Sequence, residues 1–358
     1  MRIVVTSIIR EAGQDEGSGR VRVIDWDRRE VLANWSLPDG DYRNLDPNPR
    51  GGLRGARGVS AIGNRLVVAN TERLFIFDEG WRLVATFSSQ LMGSLHEILA
   101  EPTGIWCCCT NADLMVKWSW DGFMMSCFDW RMEKKIVRAL GFTNLKKVDI
   151  GLDYRDPNNR NNIAQLNGIF PMGQYGYLLS MGRVPTRSYL NKCLAKPGSE
   201  PEMGEGDAFR SYVLWVGPAG KRLPMRIDQI TSPSHNVAFD GERLITLDTS
   251  RGEIRAGFDD AYKSFVTRPI RENFGYLRGL CRISKERYLV GDKSPMQIHE
   301  IDAESLARVG GMDIPGADRN ECVFAIAALP TCFDDPPRTL ISEIAECGIR
   351  GAEKREAA

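Results

Sequence analysis

Neither sign of charge is in excess: 47 Lys and Arg stand against 47 Asp and Glu in 358 residues. A net charge of zero supplies no field to recruit nucleic acid or an acidic membrane surface, so neither is expected as a partner. Long apolar runs are also missing, and none approaches the roughly 20 residues that span a bilayer. The opening, MRIVVTSIIREAGQDE, lacks a basic leader followed by a long apolar core and a cleavage site, and is expected to be a first strand. No CxxC pair occurs among the nine cysteines. Cys107, Cys108 and Cys109 adjoin, but neighbouring strand residues point to opposite faces, so this trio cannot chelate one metal as a unit. Reduced, buried strand cysteines in a cytoplasmic protein are expected. Histidine is scarce, with only three in the chain.

What the chain does have is a repeat. Residues 57–71, RGVSAIGNRLVVANT, align without a gap on 235–249, HNVAFDGERLITLDT. Val59 falls on Val237, Gly63 on Gly241, Arg65 on Arg243, Leu66 on Leu244 and Thr71 on Thr249. Each copy reads as a strand, a turn at Gly-Asn or Gly-Glu, and a second apolar strand. Further copies lie at 278–292, 96–109 and 167–180, while 321–329 supplies only a first strand. A second hairpin follows each complete copy, starting at Arg73, Leu114, Tyr212, Glu253 and Gln297. Their β-branched and aromatic residues, bounded by Gly, Asp and Pro turns, favour strands over helices. Residues 1–9 and the hairpin from Arg20 supply what the lone strand at 321–329 lacks.

The expected architecture is therefore all-β, a six-bladed β-propeller occupying residues 1–330 as one domain. Pairing 321–329 with 1–9 closes the ring and protects edges that an open sheet would expose. Two insertions interrupt the blades. The one at 131–166 is expected to hold a short helix in MEKKIVRALGF, and the one at 183–210 to be an irregular loop. The tail, 331–358, is expected to include a short helix around 340–347. Both insertions, and the arginine-bearing approach at 50–57, fall on connections that emerge on one face, over the central channel, where long loops carry function.

The first residues of the six inner strands are Arg57, His96, Asn167, His235, Arg278 and Glu321, all polar. The next positions are Gly58, Glu97, Gly168, Asn236, Gly279 and Cys322, with glycine on alternate blades leaving room for neighbouring side chains. Around a propeller axis these residues would form one polar ring. Two of the three histidines fall in it at equivalent repeat positions. His96 and His235, with Glu97, are the candidate catalytic residues, because imidazole takes and gives protons near neutral pH. Arg54, Arg57, Asn167, Asn236, Arg278 and Glu321 are the candidate substrate-binding residues, and the guanidiniums suit a carboxylate or phosphate. A divalent metal, calcium, magnesium or zinc, is the competing use of the ring, held by His96, His235, Glu97 and Glu321. A third reading is a solvated tunnel mouth whose charges simply pair. His299, in an outer hairpin, is expected to be structural.

With this blade repeat and these His, Asn, Glu and Arg inner-strand starts, the chain resembles the six-bladed propellers of the NHL and gluconolactonase/strictosidine-synthase type. That resemblance implies a metal-dependent hydrolase, a lyase, a cyclase or a pure binding protein. The reading from the residues is an acid–base enzyme acting on an anionic small molecule or a peptide end. The alternative is a non-catalytic module that binds partners through the two insertions. A ligand-sized polar cavity on the axis would favour the enzyme, and a plugged channel the module.

Overall fold

The structure, a computed structural model, describes residues 1–12, 17–38, 55–195, 208–217, 227–230, 234–249, 251–259, 265–270, 274–293 and 296–338. Six four-stranded antiparallel sheets form the blades of a β-propeller. Blade one takes its inner strand, Glu321–Ala328, from the far end of the chain and continues outward with Arg2–Ile9, Val21–Asp25 and Glu30–Trp35. Ile3 pairs with Ala328 and Ile9 with Glu321, which is the expected closure. The inner strands of blades two to six are Val59–Ile62, Leu95–Glu101, Leu166–Pro171, Ser234–Phe239 and Arg278–Arg282. Each packs against the inner strands on both sides, including Glu321–Ala328 against Val59–Ile62 and Arg278–Arg282, so the circle is complete.

Apolar clusters fill the gaps between blades, because a twisted sheet must bury both faces against its neighbours. Between blades one and two, Trp35 and Trp81 meet edge to face at 5.3 Å, and Phe333 stacks on Trp81 the same way. The segment after the last strand is pinned there. Trp81 donates its indole N–H to Asp334 O and Trp35 donates to Pro337 O. The helix expected around 340–347 lies outside the described residues.

Blade four departs most from the sequence reading. Its second strand runs to Pro185 as Tyr177–Pro185, a helix follows at Arg187–Ala195, and the third strand begins at Phe209. The described parts of the 183–210 insertion are thus strand and helix, and the remainder of the expected irregular loop, 196–207, lies outside the described residues. The blade's fourth strand is described over Ile227–Ile230, pairing Leu214 with Ile227, and residues 218–226, where the hairpin expected from Tyr212 turns back, lie outside the described residues. The helix expected in the other insertion spans Lys134–Ala139 and buries Ile136 and Val137. Cys107, Cys108 and Cys109 are free and buried, but Cys127 and Cys332 are exposed, which corrects the expectation of uniform burial. Among the described residues no helix is long and apolar enough to cross a membrane.

Candidate functional site

The inner strands do not run straight into the channel mouth. Their pairing registers slip between Leu95 and Ile98, Leu166 and Gly168, His235 and Val237, and Arg278 and Cys281. In blade one the partner slips between Thr6 and Ser7, leaving Phe324 as the extra residue. A bulge bends the strand and re-aims its side chains. Repeated in five blades, it aims His96, Glu97, Asn167, Asn236 and Arg278, and in blade one Phe324 rather than Glu321, toward the axis. Asn236 sits at φ 59°, a left-handed conformation that Asn tolerates better than most residues. Gly279, at φ 75°, needs glycine for the same reason. Gly168 is needed for space, since a Cβ there would lie 3.1 Å from the Glu97 carboxylate and 2.9 Å from Ser180 Cβ.

His96, Glu97, Asn167, His235, Asn236 and Arg278 converge on one cavity, joined by Phe324 and Ala325. The two imidazoles lie nearly parallel, 6.0 Å apart. Their hydrogen-bond partners assign their protons. Thr110 donates its hydroxyl to Leu166 O at 2.6 Å, so His96 Nδ1 must carry the hydrogen shared by Thr110 Oγ1 at 2.8 Å and Ser94 O at 3.0 Å. Arg278 Nη2 donates to His235 Nε2 at 2.7 Å, which leaves Nδ1–H of His235 to Thr249 Oγ1 at 2.8 Å. His235 is therefore neutral, its Nε2 being an acceptor. Burial, reinforced by Arg57 and Arg278 at His96 and by Arg278 at His235, holds both well below the usual imidazole range.

Second-strand and loop residues hold this arrangement. Asp113 accepts the backbone N–H groups of Ile163, Ala164 and Leu166 and so fixes the approach to Asn167. Asp292 does the same for Arg278, accepting from Gly275 and Tyr276. His299 Nε2 donates to that carboxylate at 3.2 Å, buried and absent from the cavity lining, which is the structural place expected for it. Asn236 spans three blades, donating to Glu97 Oε1 at 2.9 Å and accepting from Gly279 N at 2.9 Å.

Glu97 also accepts from Ile169 N at 2.8 Å, yet burial outweighs both bonds and pushes its carboxyl up to about 7. With a folded-state value above the ordinary 4.5, its stabilising contribution is complete below pH 4.5 and lost as pH rises through about 7. The protein should therefore lose about 2–3 kcal/mol of stability between pH 4.5 and 8 through this group. Glu97→Gln, which stays neutral, should flatten that part of the profile in urea melts at the two pH values. Parallel profiles for the two proteins would show that Glu97 ionises as an ordinary carboxylate.

Two expected members of the ring are elsewhere. Glu321 does not face the cavity; Arg22 pairs with it through two hydrogen bonds of 2.5 and 2.9 Å, with both side chains 1% exposed. Its strand-start position was read correctly, but the carboxylate turns into the blade to neutralise a buried guanidinium. Arg57 is buried behind Phe324, its guanidinium 5.2 Å from that ring and its Nη1 3.4 Å from Leu95 O. Arg54 lies outside the described residues. The metal assignment to His96, His235, Glu97 and Glu321 does not fit: Glu321 is paired to Arg22, the inward lone pair of His235 is held by Arg278, and a guanidinium stands where a cation would sit. Among the described residues no three His, Cys, Asp or Glu side chains converge as ligands would.

The sequence reading also missed residues. Thr110 and Thr249 each stand 14 positions after their histidine, a spacing visible in the repeat. Phe324 gave no signal, since only the bulge turns it inward. It lies 5.4 Å from His96 and 4.7 Å from the Arg278 guanidinium. Its ring helps to plug the channel, and the cavity left is about 10 Å³. That is room for about one water, not for a whole ligand. A roomier recess of about 320 Å³ opens beside Met124–Phe128, the outer strand of blade three, lined by Met124, Met132, Lys147 and Ile150 among others.

Comparison with known proteins bears on the fold alone. No protein-family model matches the sequence, and no curated protein matches it. Among solved structures, a protein of unknown function from Bacteroides caccae superposes with TM-score 0.54 at 11% identity, over 91% of this chain and 97% of that one. A chain of a nidogen/laminin complex gives TM-score 0.53 at 8% identity, again over 91% and 97%. A streptogramin B lyase gives 0.44 at 11% identity over 74% and 70%, a likeness too distant to bear on chemistry.

Proposed function

We propose that this propeller recognises the anionic group of a small molecule or peptide end at the mouth of its central channel, with Arg278 as the anchor. One observation carries the reading. Arg278 is 7% exposed, and its hydrogen-bond partners among the described residues are a neutral imidazole and the Tyr276 hydroxyl, with no carboxylate in ion-pair range. A buried charge without a counter-ion is costly, and an arriving anion removes that cost. Arg10, stacked 4.2 Å over Tyr276, and Arg57 add to the same field. The channel is too nearly plugged to take a whole ligand, so the charged group sits at the mouth. For turnover of lyase, cyclase/isomerase or hydrolase type, His96 is the available base. Its Nε2 has no partner among the described residues, while that of His235 is held by Arg278. Free cysteines among the described residues suit a reducing, cytoplasmic setting.

Calorimetric titration with acetate and inorganic phosphate tests the reading. Wild-type protein should bind at least one of them, and Arg278→Ala should weaken it by about 1.5–3 kcal/mol, the worth of a charge-assisted hydrogen bond. No binding at millimolar anion, or equal binding by the variant, would overturn it. The second reading is a partner-binding module using the 131–166 insertion. It is favoured by the nearly plugged channel and by the apolar side chains exposed at the blade-three recess, Met124, Met132 and Ile150. Met132→Lys and Ile150→Lys should abolish such an interaction without touching anion binding.

A further inference from the structure

Two acceptors line the axial cavity with no donor to fill them among the described residues. With its Nδ1 hydrogen committed to Ser94 and Thr110, His96 presents Nε2 as a lone pair. Asn167, 2% exposed, donates its amide N–H to Ser234 O at 2.8 Å and leaves Oδ1 buried without a partner. Arg278 lines the same cavity and brings the opposite need, since its buried Nε has nothing to donate to. The space between these groups, about 10 Å³, takes one oxygen-sized group.

A bare anion meets only half of this. It satisfies the guanidinium and turns its own lone pairs toward the two acceptors. An ammonium would satisfy the acceptors, but Arg57 and Arg278, the charges that already depress His96, would repel it. A hydroxyl fits both demands, since it donates one hydrogen and accepts another. We propose that the anion bound here is a 2-hydroxy acid. Its hydroxyl enters the cavity, shares its one hydrogen between His96 Nε2 and Asn167 Oδ1 and accepts from Arg278 Nε, while its carboxylate stays at the mouth against the cationic face. This rests on the anion-site reading above and specifies the neighbour of the charge. The discrimination has the usual origin: a ligand lacking the hydroxyl strands buried polar atoms that the hydroxyl would have satisfied.

The experiment is a calorimetric comparison of propanoate, lactate and alanine on the full chain at fixed ionic strength. These differ only in hydrogen, hydroxyl or ammonium at the same carbon. Lactate should bind about three- to tenfold tighter than propanoate, the ratio that one net hydrogen bond supplies. Alanine should bind no better than propanoate. His96→Phe, which keeps the ring and removes the acceptor, should bring the lactate-to-propanoate ratio toward one. Should that variant fail to fold, the wild-type ratio still decides. Equal affinity for lactate and propanoate, or a preference for alanine, overturns the hydroxyl assignment and leaves the anion site standing. If no acid binds, the anion reading itself has failed.

Discussion

Deletion of residues 1–9 is expected to leave no cooperatively folded protein. The strand Arg2–Ile9 is the second strand of blade one, bonded to Glu321–Ala328 on its inner side and to Val21–Asp25 on its outer side. Six of its eight residues are buried. Without it the chain's last strand loses its ladder, and the outer hairpin of blade one loses its attachment. The inter-blade core around Val4, Ile8 and Phe324 opens to water. Unpaired edges would then be exposed on both sides of the gap, the condition that closed propellers exist to avoid. The check is expression and thermal melting of the truncated chain. A soluble variant with a single sharp transition would refute the closure.

Glu321→Ala is expected to destabilise the protein by about 3–5 kcal/mol, the cost of removing one partner from a buried ion pair. The carboxylate accepts two bonds from Arg22, one from Ser7 Oγ and one from Asp318 N. With it gone, the Arg22 guanidinium is left charged and 1% exposed, and only Ser7 Oγ and a long contact to Met296 sulfur remain. The double variant Arg22→Met, Glu321→Leu should recover most of that loss, because apolar replacement of both partners removes the stranded charge. Urea midpoints of the three proteins measure this. A Glu321→Ala protein as stable as wild type, or one that loses anion affinity while keeping its stability, would return Glu321 to the binding site.

Parts of the blade pattern were legible because they are local. A period-two alternation closed by Gly, Asn or Asp needs no knowledge of the rest of the chain, and the compact blades at 57–88 and 278–313 show it cleanly. Blade four resisted for the same reason in reverse. Its second hairpin connection is long, so the turn chemistry that marks the compact blades gives no short-range signal for the outer strand, which pairs Leu214 with Ile227. Likewise the helix Arg187–Ala195 lies in a stretch whose polar composition gave no strong periodicity.

The sequence by itself determined the number of blades, the closure by its two ends and a polar residue within two positions of each inner strand's start, since all follow from a repeated short-range pattern. Only the tertiary structure decided where those side chains point. Glu321 is claimed by an arginine 299 positions away, His235 by an arginine 43 positions away, and Glu97 by an asparagine 139 positions away. Phe324 reaches the axis because of one bulge opposite Thr6 and Ser7. Strand pattern places a Cα on a ring, but a side chain's direction and protonation are set by the atoms that the closed fold brings within about 3 Å of it. Those atoms come from distant parts of the chain, Arg22 from the same blade as Glu321 and Asn236 and Arg278 from other blades than the groups they hold.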